Sequence, residues 1–136
     1  MEILVVVAII AMIISFIIAL SGDSRAQKRD ARREQDIKQL QNALGLYESN
    51  NQLYPVCPRG VIDGSTDCLS KELIVATFMV GVPSDPLGGS DGICGGTDSF
   101  VYCYTSDGVV YTIEYALETD TVSGKSSGWQ VVEVQS

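Results

Sequence analysis

Hydrophobic and polar positions divide the chain into three stretches, and the first is almost wholly apolar. Residues 3–20 are eighteen consecutive residues of which Ser15 alone is polar, and Glu2 stands immediately before them. A run of this length and hydropathy predicts a helix able to cross a bilayer, which needs about 20 residues. An acidic residue at its start is costly in lipid unless it is paired. Glu2 therefore indicates an electrostatic contact between chains rather than a simple anchor.

The apolar run is interpreted as a retained segment rather than a cleaved signal peptide. No basic segment precedes it, it is longer than an ordinary signal-peptide core, and Ala19-Leu20-Ser21 is a poor cleavage site. Ser21 and Gly22 are the candidate break in the helix that it begins, because Gly disfavours helix by about 1 kcal/mol relative to Ala. A helix that continues through them is the alternative.

The second stretch is polar with an apolar stripe. Residues 25–50 contain no proline, and four apolar residues recur at helical spacing: Ile37, Leu40, Leu44 and Tyr47. This spacing predicts an amphipathic helix on which a domain packs. One helix over residues 2–49 would be about 70 Å long at 1.5 Å per residue. Its first half finds no partner in this chain, so lipid or copies of the chain must bury it.

The third stretch predicts a small head. Asn50–Pro55 ends the helix, because Asn tolerates a left-handed cap and Pro cannot continue a helix. Phe100–Thr105 and Val109–Leu117 flank the turn residues 106–108 and predict a hairpin, with a third strand at Trp129–Val134.

The predicted fold class is α+β. A long N-terminal helix, apolar in its first half and amphipathic in its second, packs against a small antiparallel sheet of about three strands. The predicted divisions are residues 1–22 for the apolar helix, 23–50 for its amphipathic continuation and 51–136 for the head.

The net charge of -8 is unevenly distributed. Up to Lys38 there are six basic and five acidic residues, whereas from Gln39 onward there are three basic and twelve acidic ones. An acidic head argues against nonspecific binding of nucleic acid. The sequence has no His, which excludes a His-based catalyst or the usual zinc site. No nucleophile–base pair and no phosphate-binding loop can be assembled, so no enzymatic activity is expected.

All four cysteines lie in the head, and their spacing does not fit paired metal-binding knuckles. An even number in a small domain favours two disulfides and an oxidising compartment. The favoured pairing is Cys57 with Cys68 and Cys94 with Cys103, because each closes a short loop rich in Gly or Asp. Four reduced, buried thiols are the alternative.

Residues 1–10, MEILVVVAII, closely resemble the N-terminal signature of type IV pilins and type II secretion pseudopilins. Later segments agree in order: QLQNALGLY at 39–47, NQLYP at 51–55, PSDP at 83–86 and a closing antiparallel sheet. The resemblance implies a structural subunit that polymerises through its N-terminal helix into a type IV pilus-like surface filament, with heads outside. A major pseudopilin of a type II secretion system is the alternative. A monomeric membrane-tethered binding module is a more distant one.

The resemblance also implies roles for particular residues. Glu2 would contact the terminal amine, here at Met1, of a neighbouring subunit. The first segment becomes a transmembrane and filament-core helix whose core positions include Ile3, Val6, Ile10, Ile14, Phe16 and Ile17. The chain departs from the family because only Met1 precedes Glu2 and because no proline lies late in the apolar helix. Ser21 and Gly22 are therefore its substitute for the family's helix break.

The resemblance implies partners and a location as well. The partners are copies of the chain, membrane lipid before assembly, the pilus assembly machinery and a prepilin peptidase. The expected location is the cytoplasmic membrane before assembly and an extracellular filament afterwards. The basic stretch after the apolar run favours a head in the cytoplasm, whereas disulfides favour a head outside it. A basic leader removed during maturation would reconcile the two expectations.

Calcium enters because the major pseudopilins bind it in a carboxylate-lined loop. Asp85, Asp91 and Asp98 lie in a suitable Gly-rich stretch, and calcium takes carboxylate and carbonyl oxygens. Their spacing fits no defensible motif, so solvated loop carboxylates are the default and no cofactor is expected.

A run of basic residues follows the apolar segment: Arg25, Lys28, Arg29, Arg32 and Arg33. It is interpreted as a grip on phospholipid head groups, as a contact with acidic patches of neighbouring heads, or as a solvated helical face. Asp30 with Arg33, and Glu34 with Lys38, are predicted pairs within the helix.

Overall fold

The computed structural model describes residues 2–89 and 91–135, and the side chains of residue 2 and residues 18–23 lie outside what it describes. Helix α1 spans Glu2–Asn51. It ends where Gln52 takes a left-handed φ of 62°. The side-chain amides of Asn50 and Asn51 donate to the carbonyls of Leu46 and Tyr47 and satisfy groups that the helix end leaves unpaired.

The head is a four-stranded antiparallel sheet with one short helix. Its elements are β1 (Cys57–Val61), α2 (Cys68–Val75), β2 (Cys103–Ser106), β3 (Val110–Leu117) and β4 (Gly128–Gln135). The strands lie in the order β1-β2-β3-β4. The α+β class is confirmed, whereas the prediction of about three strands is corrected to four. The unpredicted strand β1 contains Pro58 and Gly60, which are poor strand formers, and it forms an edge of the sheet with an irregular register against β2.

The core lies between α1 and one face of the sheet. Alternate residues of β3 turn inward, so that Tyr111, Ile113, Tyr115 and Leu117 are all 3% exposed or less. They meet the helical stripe, in which Ile37, Leu40 and Leu44 are buried. Tyr47 is partly buried against the same cluster. The period-3.6 stripe and the period-2 strand thus supply the two halves of one core.

Helix α1 extends well beyond this core. Its side chains are described over residues 3–17 and 24–51, and every residue from 3 to 17 is exposed. The backbone is helical at Ser21 and Gly22, so the described backbone has no break at the predicted position. The predicted apolar helix of residues 1–22 is not described as a whole, because residue 1 and the side chains of 2 and 18–22 are outside the described part.

The expected membrane location requires correction. Within the described part of the chain, no helix combines the length and hydropathy needed to cross a membrane. The structure therefore does not support a subunit held in the cytoplasmic membrane before it joins an extracellular filament.

Candidate functional site

The most unusual surface of the molecule is the apolar stretch of α1, defined here as residues 3–17. The six residues predicted to lie in a filament core are between 50% and 80% exposed in the single chain: Ile3, Val6, Ile10, Ile14, Phe16 and Ile17. The hydroxyl of Ser15 donates to the carbonyl of Ala11 at 2.9 Å, so the stretch satisfies its one polar side chain internally. A contiguous exposed apolar surface of this extent marks an interaction site.

Two other predicted site features lie outside the described side chains. They are the pairing of Glu2 with the amine at Met1 and the side-chain contacts at Ser21 and Gly22.

A buried arginine fixes the head on the helix. Arg33 is 0% exposed. Its Nε and Nη2 donate to the two carboxylate oxygens of Asp85 at 2.6 and 3.0 Å. Its Nη1 donates to Asp30 at 2.7 Å and to Glu118 at 2.6 Å. The guanidinium also lies 5.0 Å from the centre of the Phe100 ring. Burial lowers the pKa of Arg33, but the bonds to Asp85 and Glu118 outweigh burial and raise it overall.

The carboxylates around Arg33 make further bonds that tie the end of β3 to α1. Asp30 accepts bonds from the backbone N–H groups of Glu118 and Thr119 at 3.0 and 2.9 Å, and from the Thr119 hydroxyl at 2.7 Å. Glu118 also accepts bonds from Arg29. The hydrogen bond from Arg29 is the main reason that the pKa of Glu118 falls to about 2.

Two further polar contacts are made by Glu34 and Asp36, which follow Arg33 along α1. Lys125 Nζ is 2.7 and 2.8 Å from the carboxylate oxygens of Glu34, which also accepts a bond from the Tyr115 hydroxyl at 2.5 Å. The Tyr102 hydroxyl donates to Asp36 at 2.9 Å, and burial raises the pKa of both groups. The predicted Asp30–Arg33 pair is confirmed. Glu34 pairs with Lys125 instead of Lys38.

We name these contacts, made by Arg29, Asp30, Arg33, Glu34 and Asp36 of α1, the head clamp. They reach the loop at Asp85 and the segment from Tyr115 to Lys125. Sequence reasoning placed Arg29 and Arg33 in a basic surface stripe and missed the clamp. The signal that could have found it is the set of three acidic residues that interrupts that stripe at 30, 34 and 36.

The three calcium candidates do not come together as a site. Asp85 is 3% exposed, holds Arg33 and accepts bonds from the backbone N–H groups of Leu87 and Gly88 at 2.8 and 3.2 Å. Asp91 and Asp98 are exposed in the following loop. The described residues contain no group of three or more metal-binding side chains. Asp85 therefore works as a structural anion that shapes the Gly-rich loop.

Both predicted disulfides are present, Cys57–Cys68 and Cys94–Cys103. The first joins β1 to the start of α2, and the second joins the Gly-rich loop to β2. That loop packs closely, since a Cβ on Gly88 would lie 1.9 Å from the carbonyl oxygen of Phe100. The two bridges therefore hold the irregular segments of the head against the sheet.

An open cavity of about 630 Å³ lies between residues 95–100 and the ends of β3 and β4. Trp129 lines it and donates from Nε1 to the carbonyl of Gly96 at 3.0 Å. Among its polar side chains, Glu118 is held by Arg29 and Arg33, and the Ser99 hydroxyl accepts a bond from the Ile93 N–H. Thr97 and the exposed Asp98 also line it. The cavity thus offers a packing surface rather than an activated group.

Comparisons with protein-family models, with curated proteins and with solved structures find no match to this chain.

Proposed function

We propose that the chain is a structural subunit that polymerises through its N-terminal helix into a filament of the type IV pilus kind. The observation that carries the proposal is the apolar stretch, residues 3–17, which is exposed on every side in a single copy. Burying one Ile or Phe side chain is worth about 1.5–3 kcal/mol, so a stretch of this composition strongly favours association. The same stretch of another copy is a partner that is available to every subunit.

The position of the head clamp is consistent with an apolar stretch that stays free to associate. It joins the head to residues 29–36 of α1, and the apolar core joins it to residues 37–47. The head makes both sets of contacts on the second half of the helix. Parallel bundling of the apolar stretches would place acidic heads on the outside, where their charge keeps finished filaments apart.

Specificity must come from packing and polar contacts, because any apolar surface satisfies the hydrophobic effect. Small residues such as Ala8 and Ala11 let neighbouring helices approach closely. A Glu2 carboxylate paired with the amine at Met1 of a neighbour would avoid the cost of an unpaired charge in the apolar core. This pairing, taken from the family resemblance, sets the stagger between subunits in the proposal.

The test introduces one charge into the apolar stretch of the full-length chain. Ile10→Asp leaves the head untouched, so its circular dichroism and thermal unfolding should match those of the unmodified chain. Ile10→Leu, which keeps the apolar surface, is the matched control. Sedimentation and electron microscopy should find uniform fibres for the unmodified chain and the control, and none for Ile10→Asp, because a buried unpaired carboxylate costs several kcal/mol. Fibres formed equally well by Ile10→Asp would end the proposal.

A further inference from the structure

The charged side chains of α1 differ in exposure. Its acidic residues at 30, 34 and 36 all take part in the head clamp. The exposed side chains between residues 25 and 42 are all basic, amide or apolar: Arg25, Gln27, Lys28, Ala31, Arg32, Gln35, Lys38, Gln39 and Asn42. We name Arg25, Lys28 and Arg32 the basic row, since spacings of three and four place them on one side of the helix. Arg32 Nε also lies 3.8 Å from the Asp36 carboxylate, at the edge of the head clamp.

The head carries the opposite charge at the end nearest the apolar stretch. Asp91, Asp98 and Asp120 are exposed there and are named the acidic rim. Their loops are held at this level of the helix, because Asp85 binds Arg33 and Thr119 binds Asp30. None of the three rim residues takes part in the ion pairs found among the described residues.

We propose that the basic row of one copy docks on the acidic rim of the next copy in the filament. This inference rests on the proposed function and names the contact that orders the heads. In a parallel bundle the row of one copy meets the rim of the next, while the rim of the first copy is left for a further copy. Such a contact is heterologous, and repeating it without closure generates an open helical array.

The geometry lets the charge contact and the apolar contact form together. The apolar stretch rises about 21 Å, so parallel copies displaced by less than that still overlap along it. The basic row rises about 10 Å, and its last residue, Arg32, is next to Arg33, which holds the loop at Asp85. Displacements of up to about 10 Å therefore bring the head loops of one copy level with the row of the next. The same stagger therefore satisfies both surfaces.

The contact contributes register and association rate more than affinity. Exposed ion pairs each contribute little free energy, and salt screens them over a Debye length of about 8–10 Å. Complementary charge steers encounter and suppresses wrong arrangements. Assembly of the unmodified chain should therefore slow as salt rises, while the apolar stretch keeps finished filaments together.

The first experiment compares two variants that lower the net charge equally. Arg25→Gln with Lys28→Gln removes two of the three charges of the row, and Lys71→Glu changes an exposed cation on α2. We expect the row variant of the full-length chain to raise the critical concentration for assembly about tenfold, which corresponds to about 1.4 kcal/mol. It should also flatten the dependence on salt, whereas Lys71→Glu should assemble like the unmodified chain.

A charge exchange tests the pairing itself. Arg25→Glu with Lys28→Glu should abolish assembly at low salt, and adding Asp91→Lys with Asp98→Lys in the same chain should restore it. Rescue separates a lost contact from a lost fold.

If the unmodified chain forms no fibres, the proposed function and this contact both fail. If it forms fibres and the row variant matches Lys71→Glu, or if the exchange gives no rescue, the contact alone is overturned. Normal assembly with lost binding to phosphatidylglycerol vesicles would assign the row to a lipid surface instead.

Discussion

Arg33 illustrates how a charged residue becomes a structural centre. A buried guanidinium is costly unless its donors are all bonded, and here three carboxylates from three separate segments surround it. Arg29 and Arg33, which the sequence places in a basic stripe, therefore connect the helix to the head. Sequence spacing revealed Asp30, three residues away, but not Asp85, which lies 52 residues away along the chain.

Replacing Arg33 should destabilise the head strongly. Arg33→Met leaves Asp30 and Asp85 buried without their cation, and breaking such a pair costs about 3–5 kcal/mol in the free energy of unfolding. Arg32→Met is the control, because the Arg32 side chain is 65% exposed and should cost less than about 1 kcal/mol. Urea unfolding followed by Trp129 fluorescence measures both. Similar losses for the two variants would contradict a central role for Arg33.

Glu118 should make the head acid-sensitive in a defined window. Its pKa falls to about 2 in the folded chain, below the ordinary value of about 4.3 for an unfolded Glu. The stabilisation is therefore complete above about pH 4.3 and is lost as pH falls toward about 2, and it is worth about 2–3 kcal/mol at neutral pH. Glu118→Gln should be less stable at pH 7 and less sensitive to pH across this window. Exposed Glu133→Gln is the control, and parallel pH profiles for both variants would refute the assignment.

The elements differ in how far local sequence determines them. The β2–β3 hairpin was predictable, because alternation in β3 and the turn at residues 106–108 are both local signals. Strand β1 was not, because Cys57-Pro58-Arg59-Gly60 lacks alternation and strand propensity. Its extended form comes from partners distant in sequence: pairing with β2, the bond from Arg59 to Glu114 and the bridge to Cys68. Tertiary contacts override propensity in such a segment.

The disulfides should stabilise the irregular segments measurably. The bridged cysteines are 11 and 9 residues apart, and closing loops of that size contributes about 2–3 kcal/mol each. Cys94→Ser with Cys103→Ser should therefore lower the free energy of unfolding by about that amount. It should also change Trp129 fluorescence, because Trp129 bonds to Gly96 inside the released loop. Cys57→Ser with Cys68→Ser should lower stability alike without that spectral change. An unchanged spectrum in both variants would contradict the packing described for the loop.

The whole molecule combines a head that buries its core with a helix stretch that buries nothing in a single copy. The amphipathic stripe and strands β2 to β4 followed from periodicity, and both disulfides followed from cysteine spacing, whereas strand β1 did not follow. The head clamp did not, because it depends on side chains 52 to 91 residues apart that only the folded chain brings together. Self-assembly is indicated by this contrast between a head whose apolar residues are buried and an apolar stretch that is exposed.

The most direct measurement is a helical reconstruction, by cryo-electron microscopy, of fibres formed by the purified full-length chain. We predict residues 3–17 bundled in parallel at the fibre axis, and heads outside with their disulfides and clamp intact. The map should also place the basic row of one copy against the acidic rim of its neighbour. A chain that remains monomeric at every concentration tested, or fibres whose axis is built from the heads while the apolar stretch faces solvent, would contradict the assignment as a filament subunit.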